Sequence, residues 1–415
     1  MTSTGTTGAL AVPATYSAGV PWADFARCRH EAPVSWVVEP ELERHGSAGR
    51  TAVRGRGFWA VTRHEDVIAA SRATEVFSSA AQGAFLADPR TADDLERVRQ
   101  LLVNMDAPAH ARIRRLVTGA FTPRAVAELA AGIREHASAL VAAVVRAERF
   151  DAVADLAAEL PLLVLADLLG IPRADRGLLL TWSNNLVGFD DPEYGGGSID
   201  IYRQTFAEAF RYARELAAHR RRAPGRDLVS RLVTAGTGGG LTSAEFCQLW
   251  LLLVIAGNET TRHLLSGGLL ALATHPAQRD RLAAEPDLTG RAVDELLRWV
   301  TPIMQFRRTA TADTVLGGQA IRAGEKVVLY YISANRDAAA FDQPDELRLD
   351  RDPNPHLAFG IGPHFCLGSH LARLEARVLL DELRPWLTRL EMTGPPVRLA
   401  SNFMNGLKSL PMSLA

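Results

Sequence analysis

One cysteine near the end of the chain lies in a segment with unusual backbone freedom. Residues 359–368 read FGIGPHFCLG, which places Gly360, Gly362 and Gly368 around Cys366. Glycine adopts positive φ readily and lets another group approach the backbone closely. The segment could therefore hold a large flat ligand against its backbone, above the sulfur.

A helix is predicted to begin directly after this cysteine. Apolar residues recur at spacings of four, three and four, at Leu367, Leu371, Leu374 and Val378. This spacing is helical, and Pro385 ends it. The free N–H groups and the positive dipole end of a helix N terminus favour a thiolate. A thiolate-ligated haem would need this arrangement.

Other interpretations of Cys366 stay open on these residues alone. A lone cysteine is most often a small buried hydrophobic residue. A hydrolytic pair with His364 or His370 is a second interpretation, although it needs a third group to orient the base. A zinc site formed by the same three residues is a third, although their spacing matches no common zinc pattern.

The whole segment resembles the haem-binding loop of the cytochrome P450 family. The shared pattern is F-x-x-G-x-x-x-C-x-G, here Phe359, Gly362, Cys366 and Gly368. The resemblance implies that Cys366 is the axial thiolate ligand of haem b, a ligand that favours O–O bond cleavage. It also implies that Phe359 packs near the sulfur and that His364 reaches a haem propionate. Gly360 and Gly368 would lie against the cofactor.

A group of polar residues interrupts a predicted apolar helix. Residues 256–261 read AGNETT, and burying such side chains is costly unless they have partners. A purely structural alternative is that the threonines bond back to the preceding turn. The segment is similar to the family's oxygen-binding helix, which implies that Ala256 and Gly257 leave space for dioxygen. Thr260 would then hydrogen-bond the oxygen, and Glu259 would relay protons from solvent.

A possible ion pair lies on the helix that contains DELLRW. Glu295 and Arg298 are spaced i, i+3, and an exposed pair of this kind contributes little stability. The pair resembles the family's E-x-x-R motif, which is buried and structural. Arg351 has the position of the arginine that completes that network. The aromatic residue often found four positions earlier is Leu347 here, which we interpret as a packing variation.

Three further cationic residues have positions that match propionate ligands of the family. His110 and Arg114 are spaced i, i+4 on a predicted helix, and both can donate to carboxylates. On the residues alone, a solvated basic helix face is an equally open interpretation. Arg308 is the third residue, and its position relative to Asp313 favours it over the neighbouring Arg307.

The pattern of segments predicts a mainly α protein with minor β structure. A helix should run over 124–147, after Thr122 as N-cap and Pro123 at the first helical position. Further helices are predicted over 152–169, 203–221, 243–274 and 290–300, and strands over 57–63, 315–321 and 326–334. Flexible loops are predicted at 78–91 and 190–200. The resemblance implies a cytochrome P450-type fold, with haem between the long central helix and the cysteine loop.

Two parts of the chain are expected to behave differently. Residues 1–20 lack both a cationic flank and a long apolar run, so they indicate a disordered tail rather than a signal peptide. Residues 21–415 are expected to form a single cytochrome P450 domain, because no repeat or polar linker divides them. The apolar run 249–257 is too short to span a membrane.

The charge balance and the cysteine content exclude some function classes. There are 46 basic and 47 acidic residues, and this balance argues against bulk nucleic-acid binding. The three cysteines, Cys28, Cys247 and Cys366, form no C-x-x-C motif that would indicate a thiolate-rich zinc site. Sparse cysteines fit a reducing compartment, so a cytoplasmic location is predicted.

Taken together, the resemblance implies a haem-thiolate monooxygenase. It would insert one atom of O2 into a C–H bond of a hydrophobic small molecule, such as a terpenoid, steroid or specialised metabolite. Because no flavin or iron–sulfur segment is recognisable, a separate ferredoxin and its NAD(P)H-dependent reductase are expected as electron donors. Their docking face should include Arg112, Arg115, Arg373 and Arg377.

The substrate pocket and two rival functions complete the sequence-based expectations. The apolar residues expected to line the pocket are Leu253, Val254, Ile303, Met304, Phe403 and Met404. One rival is a haem-thiolate peroxygenase or isomerase that needs no external electrons, and the Glu259–Thr260 pair speaks against it. The other rival is a haem-free cysteine hydrolase.

Overall fold

The fold is described from a computed structural model, which covers residues 8–47, 49–234 and 240–414. The α-helices are α1 (Trp22–Glu31), α2 (His64–Arg72), α3 (Ala92–Arg99), α4 (Ala109–Thr118), α5 (Pro123–Ala127), α6 (Ala130–Ala147), α7 (Glu159–Leu169), α8 (Arg176–Val187), α9 (Ile199–Arg222), α10 (Leu228–Thr234), α11 (Ser243–Thr274), α12 (Pro276–Ala284), α13 (Thr289–Val300), α14 (Tyr331–Ala334) and α15 (Ser369–Leu383). The prediction of a mainly α protein is confirmed.

The strands are short and scattered along the chain. They are β1 (Val34–Val37), β2 (Glu41–Gly46), β3 (Gly49–Arg54), β4 (Phe58–Val61), β5 (Phe77–Ser78), β6 (Arg149–Asp151), β7 (Gln305–Ala310), β8 (Thr314–Leu316), β9 (Gln319–Ile321), β10 (Lys326–Tyr330), β11 (Leu390–Met392), β12 (Val397–Arg398), β13 (Leu407–Ser409) and β14 (Pro411–Leu414). The largest sheet has five strands in the order β1-β4-β10-β7-β5. Its β4 and β10 run parallel, and the remaining pairs are antiparallel.

The long helix α11 runs through the centre of the molecule. A capping box starts it: Thr242 Oγ1 accepts from the Glu245 N–H, and the Glu245 carboxylate accepts from the Thr242 N–H. The helix packs against α7, α8, α9, α13 and α15, and the largest hydrophobic cluster surrounds it. The predicted bounds 243–274 are confirmed. No helix in the described ranges is long and apolar enough to cross a membrane.

Several predicted bounds differ from the structure. The helix over 124–147 is split into α5 and α6, and the helix over 152–169 begins with a π-helical turn, Val153–Ala157, before α7. The strand predicted over 326–334 ends at Tyr330. Because the ladder with β7 ends there, at the pair Tyr330 and Gln305, the next four residues form α14 instead.

The disordered tail predicted over 1–20 is wrong for the part that is described. Residues 8–17 form two 3-10 turns, Gly8–Ala11 and Pro13–Ser17. Leu10 and Tyr16 are buried in a cluster beneath the central sheet, and the Tyr16 hydroxyl donates to the Leu10 carbonyl at 3.1 Å. Residues 1–7 lie outside the described ranges. The apolar residues of this segment are too few to show a period in the sequence, but they still pack against a hydrophobic face of the fold.

Candidate haem site

The cysteine loop adopts backbone conformations that require glycine. Gly360 has φ +67° and Gly362 has φ +78°, both left-handed. A Cβ on Gly362 would come within 2.9 Å of the Ser71 carbonyl oxygen, whereas a Cβ on Gly360 would meet nothing closer than 3.9 Å. The Cys366 N–H donates to the Phe359 carbonyl at 2.9 Å and closes the loop. The loop thus keeps open space beside its backbone.

The helix predicted after Cys366 is α15, which has Gly368 as its N-cap. The Gly368 N–H donates to the sulfur and, with the charges of Arg114 and Arg373, favours the thiolate. Burial opposes them and has the largest effect, so the pKa of the Cys366 thiol lies above its ordinary value. The helix terminus therefore favours the thiolate, as predicted, but does not offset the effect of burial. A metal ion bound to the sulfur would supply the missing charge, since coordinating thiols are deprotonated.

Four basic side chains, called the basic cluster below, converge beside this loop. The rings of His110 and His364 lie 4.3 Å apart, and Arg114 Nη2 donates to the Phe365 carbonyl at 2.6 Å. Arg308 Nη1 donates to the carbonyl of its neighbour at 2.7 Å, while its buried Nε has no partner. No Asp or Glu within the described ranges forms an ion pair with these four side chains.

The charges of this basic cluster suit an anionic ligand. Burial and the nearby Arg308, His110 and Arg114 lower the pKa of His364 to about 3. His364 is therefore neutral, and its ring can still donate an N–H. The guanidinium groups of Arg114 and Arg308 stay charged, and haem propionates would pair with them. Both the basic side chains and the open space beside the loop therefore fit a bound haem.

The structure favours Arg308 over Arg307 as a propionate ligand. Successive residues of a strand point to opposite faces, so the two guanidinium groups of β7 diverge. Arg307 Nη1 lies 2.8 Å from Asp88 Oδ1 and is therefore already paired. Arg308 has no such carboxylate partner in the described part of the chain.

One face of α11 is accessible in the middle of the helix. Ala256 is exposed, and Gly257 and Thr260 are half-buried, so three of the four predicted residues border open space. A Cβ on Gly257 would come within 3.2 Å of Leu165. The Thr260 hydroxyl donates to the Ala256 carbonyl at 2.7 Å, as the structural alternative expects. Its oxygen lone pairs can still accept a hydrogen bond.

Glu259 faces away from this open side. It is buried, with Oε1 3.3 Å from Arg262 Nη1 and Oε2 3.3 Å from His263 Nε2. Burial opposes ionisation, but the charges of Arg262 and His263 outweigh it, so the pKa of Glu259 lies below its ordinary value. Arg262 also donates to Asn184 Oδ1 at 2.8 Å and to the Tyr194 hydroxyl at 3.4 Å. The carboxylate thus joins a buried polar cluster and has almost no direct contact with solvent.

The predicted E-x-x-R network is fully buried. Glu295 accepts from Arg298 Nε at 2.8 Å and Nη2 at 2.7 Å, and from Arg351 Nε at 3.0 Å. The two arginines also donate to five backbone carbonyls, those of Asn335, Asp342, Gln343, Pro344 and Glu346. Sequence reasoning missed one member, Asn354, whose amide donates to Glu295 at 3.2 Å. Leu347 is buried beside them in the core.

The predicted pocket residues differ in exposure. Val254 and Met304 have no accessible surface, and Met404 is 2% exposed. Val254 lies one residue after Leu253, and the turn of 100° per residue directs it into the core. Met304 and Met404 directly follow the half-buried residues Ile303 and Phe403. Side chains that alternate along the chain turn the two methionines to the buried side. Leu253, Ile303 and Phe403 are half-buried.

Two aromatic residues complete the apolar side of the site. Phe85 and Phe306 form a triangle with Phe403, with ring centroids 6.1, 5.3 and 5.5 Å apart. Phe306 precedes Arg308 by two residues on β7, so both point to the same face of the sheet. The sequence analysis did not single out either phenylalanine. Both lie in segments of otherwise ordinary composition. For Phe306, the signal available in the sequence was its spacing of two residues from Arg308, which puts both on the same face of a strand.

The alternative chemistries of Cys366 find no support in this geometry. In the ranges described, no group of three or more His, Cys, Asp or Glu side chains could hold a metal ion. His370 is exposed on α15, and His364 instead approaches the Ser79 hydroxyl at 3.3 Å. A glycine-rich cysteine loop, a basic cluster without carboxylate partners in the described ranges and a central helix with an accessible face together fit a haem-thiolate protein.

Comparison with known proteins leads to the same class. The cytochrome P450 family model matches residues 199–384. The methyl-branched lipid omega-hydroxylase of Mycobacterium tuberculosis is 42% identical over 395 residues, 94% of this chain and 90% of that protein. The steroid C26-monooxygenase of Rhodococcus jostii is 38% identical over 401 residues, 95% and 82% of the two chains. A Mycobacterium marinum cytochrome P450 solved with pseudoionone superposes with a TM-score of 0.88, at 39% identity, over 98% and 97% of the chains.

The chain therefore belongs to the cytochrome P450 family, and it is a monooxygenase. The predicted fold class is confirmed, and the hydrolase interpretation is wrong. Its cofactor is haem b, which when bound supplies the activation of O2 and the insertion of one oxygen atom into substrate. Cys366 would hold its iron through the sulfur, and Phe359, Gly360 and Gly368 would lie beside the cofactor. The basic cluster, which is His110, Arg114, Arg308 and His364, would hold its propionates.

Proposed function

We propose that this monooxygenase hydroxylates a terminal methyl group at the branched end of a long apolar molecule. By their names, one relative hydroxylates the omega end of a methyl-branched lipid, and the other oxidises a steroid at C26, a terminal methyl carbon of the branched side chain. The relatives that carry those names are 42% and 38% identical to this chain. The proposal carries over only the chemistry at the chain end, and nothing about a ring or a head group.

The observation in this structure that best supports the proposal is the aromatic triangle of Phe85, Phe306 and Phe403. Its rings meet edge to face, and it lies on the same side of β7 as Arg308. Half-buried aliphatic side chains of Leu253 and Ile303 add to it. Aromatic edges and aliphatic groups suit a slender apolar chain end and offer little to a polar one.

The direct test compares branched and unbranched probes on the holoenzyme. We would titrate 15-methylhexadecanoic acid, cholest-4-en-3-one and unbranched hexadecanoic acid, follow the spin-state change of the haem, and identify products by mass spectrometry. The proposal expects tighter binding of both branched probes and hydroxylation at their terminal methyl groups. Hydroxylation within the ring system, or a preference for the unbranched chain, would contradict it.

We also infer that Thr260 and Glu259 deliver protons during turnover. Reduction of one oxygen atom to water consumes two protons, and a hydroxyl beside the open face of α11 is placed to pass them on. Glu259 would pass protons to this hydroxyl from the buried cluster that it forms with Arg262 and His263. The route from solvent to this cluster would run past Asn184 and Tyr194.

Thr260→Ala is expected to uncouple the reaction. Reductant consumption should continue, while hydrogen peroxide accounts for most of the oxygen consumed and product falls severalfold. The measurement is the ratio of product to reductant, with Thr274→Ala as control, because that hydroxyl makes the same i−4 backbone bond at the far end of α11. Unaltered coupling in Thr260→Ala would remove this hydroxyl from proton delivery.

Electrons are proposed to come from a separate ferredoxin and its NAD(P)H-dependent reductase, in a cytoplasmic setting. Of the four predicted contacts, Arg112 is paired with Glu245, and Arg373 is paired with Asp294 at 2.8 Å. Arg115 and Arg377 are exposed on α4 and α15, the helices that flank the cysteine loop. They are the better candidates to meet an acidic partner.

Reversing these two charges should weaken the response to ferredoxin. For Arg115→Glu with Arg377→Glu, we expect the ferredoxin concentration at half-maximal turnover to rise roughly tenfold at low salt, and less at high salt. Arg221→Glu, on the distant α9, serves as the control. An equal effect of all three changes would mean that ferredoxin responds only to the net charge of the protein. No effect of Arg115→Glu with Arg377→Glu would mean that ferredoxin docks elsewhere.

A further inference from the structure

The loop that carries Phe85 is attached to the central sheet by its backbone. The Arg307 N–H at the edge of β7 donates to the Ala84 carbonyl at 2.8 Å. The Ala84 N–H in turn donates to the side chain of the fully buried Asn104 at 2.9 Å. Phe85 therefore follows a firmly held residue. The loop predicted to be flexible at 78–91 is anchored at this point.

A second anchor follows Phe85 and is ionic. Asp88 Oδ1 lies 2.8 Å from Arg307 Nη1, and Asp88 Oδ2 lies 3.0 Å from Lys326 Nζ. The ammonium group of Lys326 also donates to the Leu86 carbonyl at 2.9 Å. Both cations are buried, at 2% and 3% exposure, and their charges keep the pKa of Asp88 below its ordinary value against the effect of burial.

Lys326 also has a carboxylate partner outside the loop. Glu39 Oε2 accepts from Lys326 Nζ at 2.8 Å and from the Gly57 N–H at 3.0 Å. A Cβ on Gly55 would overlap this carboxylate, at 2.1 Å, so glycine is needed to make room for it. Two cations and two carboxylates balance in this group, and Asp88 is the member that belongs to the loop. Removing its charge should release the loop while the sheet stays paired.

We propose that Asp88 is a positioning residue that sets the strength of substrate binding by holding Phe85 in the aromatic triangle. With the Asp88 charge gone, the buried Arg307 keeps only weak contacts to the Leu86 and Ala87 carbonyls, at 3.5 and 3.3 Å. A buried cation without its carboxylate is costly, so conformations that admit water and move the loop outward become populated. The effect applies to any apolar substrate and does not depend on a branched chain end.

The test measures azole binding to purified holoenzyme, because an azole reports on the pocket whatever the natural substrate is. The probes are imidazole, which is small, and 1-dodecylimidazole, which carries a long apolar chain. For Asp88→Asn we expect the Kd of 1-dodecylimidazole to rise about tenfold, while that of imidazole stays constant. Amide hydrogen exchange over residues 84–88 should become faster in the same variant.

Two further variants separate a positioning role from a general one. Asp93→Asn removes an exposed charge from α3 and should leave both Kd values unchanged. Asp88→Glu keeps the charge and should recover most of the dodecylimidazole affinity. Equal weakening of both azoles, unchanged binding in Asp88→Asn, or loss of haem incorporation would overturn the proposal. Failure of the branched-probe experiment would leave these azole measurements unaffected, so the two proposals can fail separately.

Discussion

Cys366→Ser is expected to abolish the strongly red-shifted Soret band of the reduced, carbon monoxide-treated enzyme. The thiolate pushes electron density onto the iron, and a serine oxygen cannot replace it in that role. Monooxygenase turnover should fall to background for the same reason. The variant keeps the loop geometry, because the Cys366 N–H bond to the Phe359 carbonyl does not involve the side chain.

The absorption spectrum is the decisive measurement for this variant. Cys247→Ser is the matched control, since Cys247 is a buried cysteine of α11 whose sulfur faces the Phe210 carbonyl at 3.8 Å. That control should keep the red-shifted band. A Cys366→Ser protein that retained the band would show that another residue ligates the iron, and the assignment of the cysteine loop would be wrong.

Glu295→Gln is expected to lower the free energy of unfolding by about 3–5 kcal/mol, the usual cost of breaking a buried ionic network. The change leaves two buried guanidinium groups, those of Arg298 and Arg351, without their shared carboxylate. The network joins α13 to the segment that leads into the cysteine loop. Haem should therefore be lost at a lower denaturant concentration than in the unaltered protein.

Denaturant unfolding followed by the Soret band and by circular dichroism checks this expectation. Glu96→Gln is the control, because Glu96 forms a pair with Arg99 at the same i, i+3 spacing but on the surface. An exposed pair contributes about 0–1 kcal/mol, so the control should differ little from the unaltered protein. Similar losses in both variants would contradict a special role for the buried network.

Local features of the sequence were enough to predict the parts of the site that depend on neighbouring residues. The glycines around Cys366 and the spacing of Glu295 and Arg298 are short-range patterns. The apolar run of α11 likewise indicated a buried helix, and its bounds 243–274 were predicted correctly. In each case the determining contacts lie within a few residues, so residue type and spacing specify the geometry directly.

Only the tertiary structure decided which side chains meet across the molecule. The burial of Met304 and Met404, the packing of Leu10 under the sheet and the cluster around Glu259 each depend on segments far apart in the chain. The ionic anchor of Asp88 joins residues more than 200 positions apart. A charge or an apolar side chain looks the same in sequence whether or not such a partner exists. Its burial and pairing arise only when distant segments pack together.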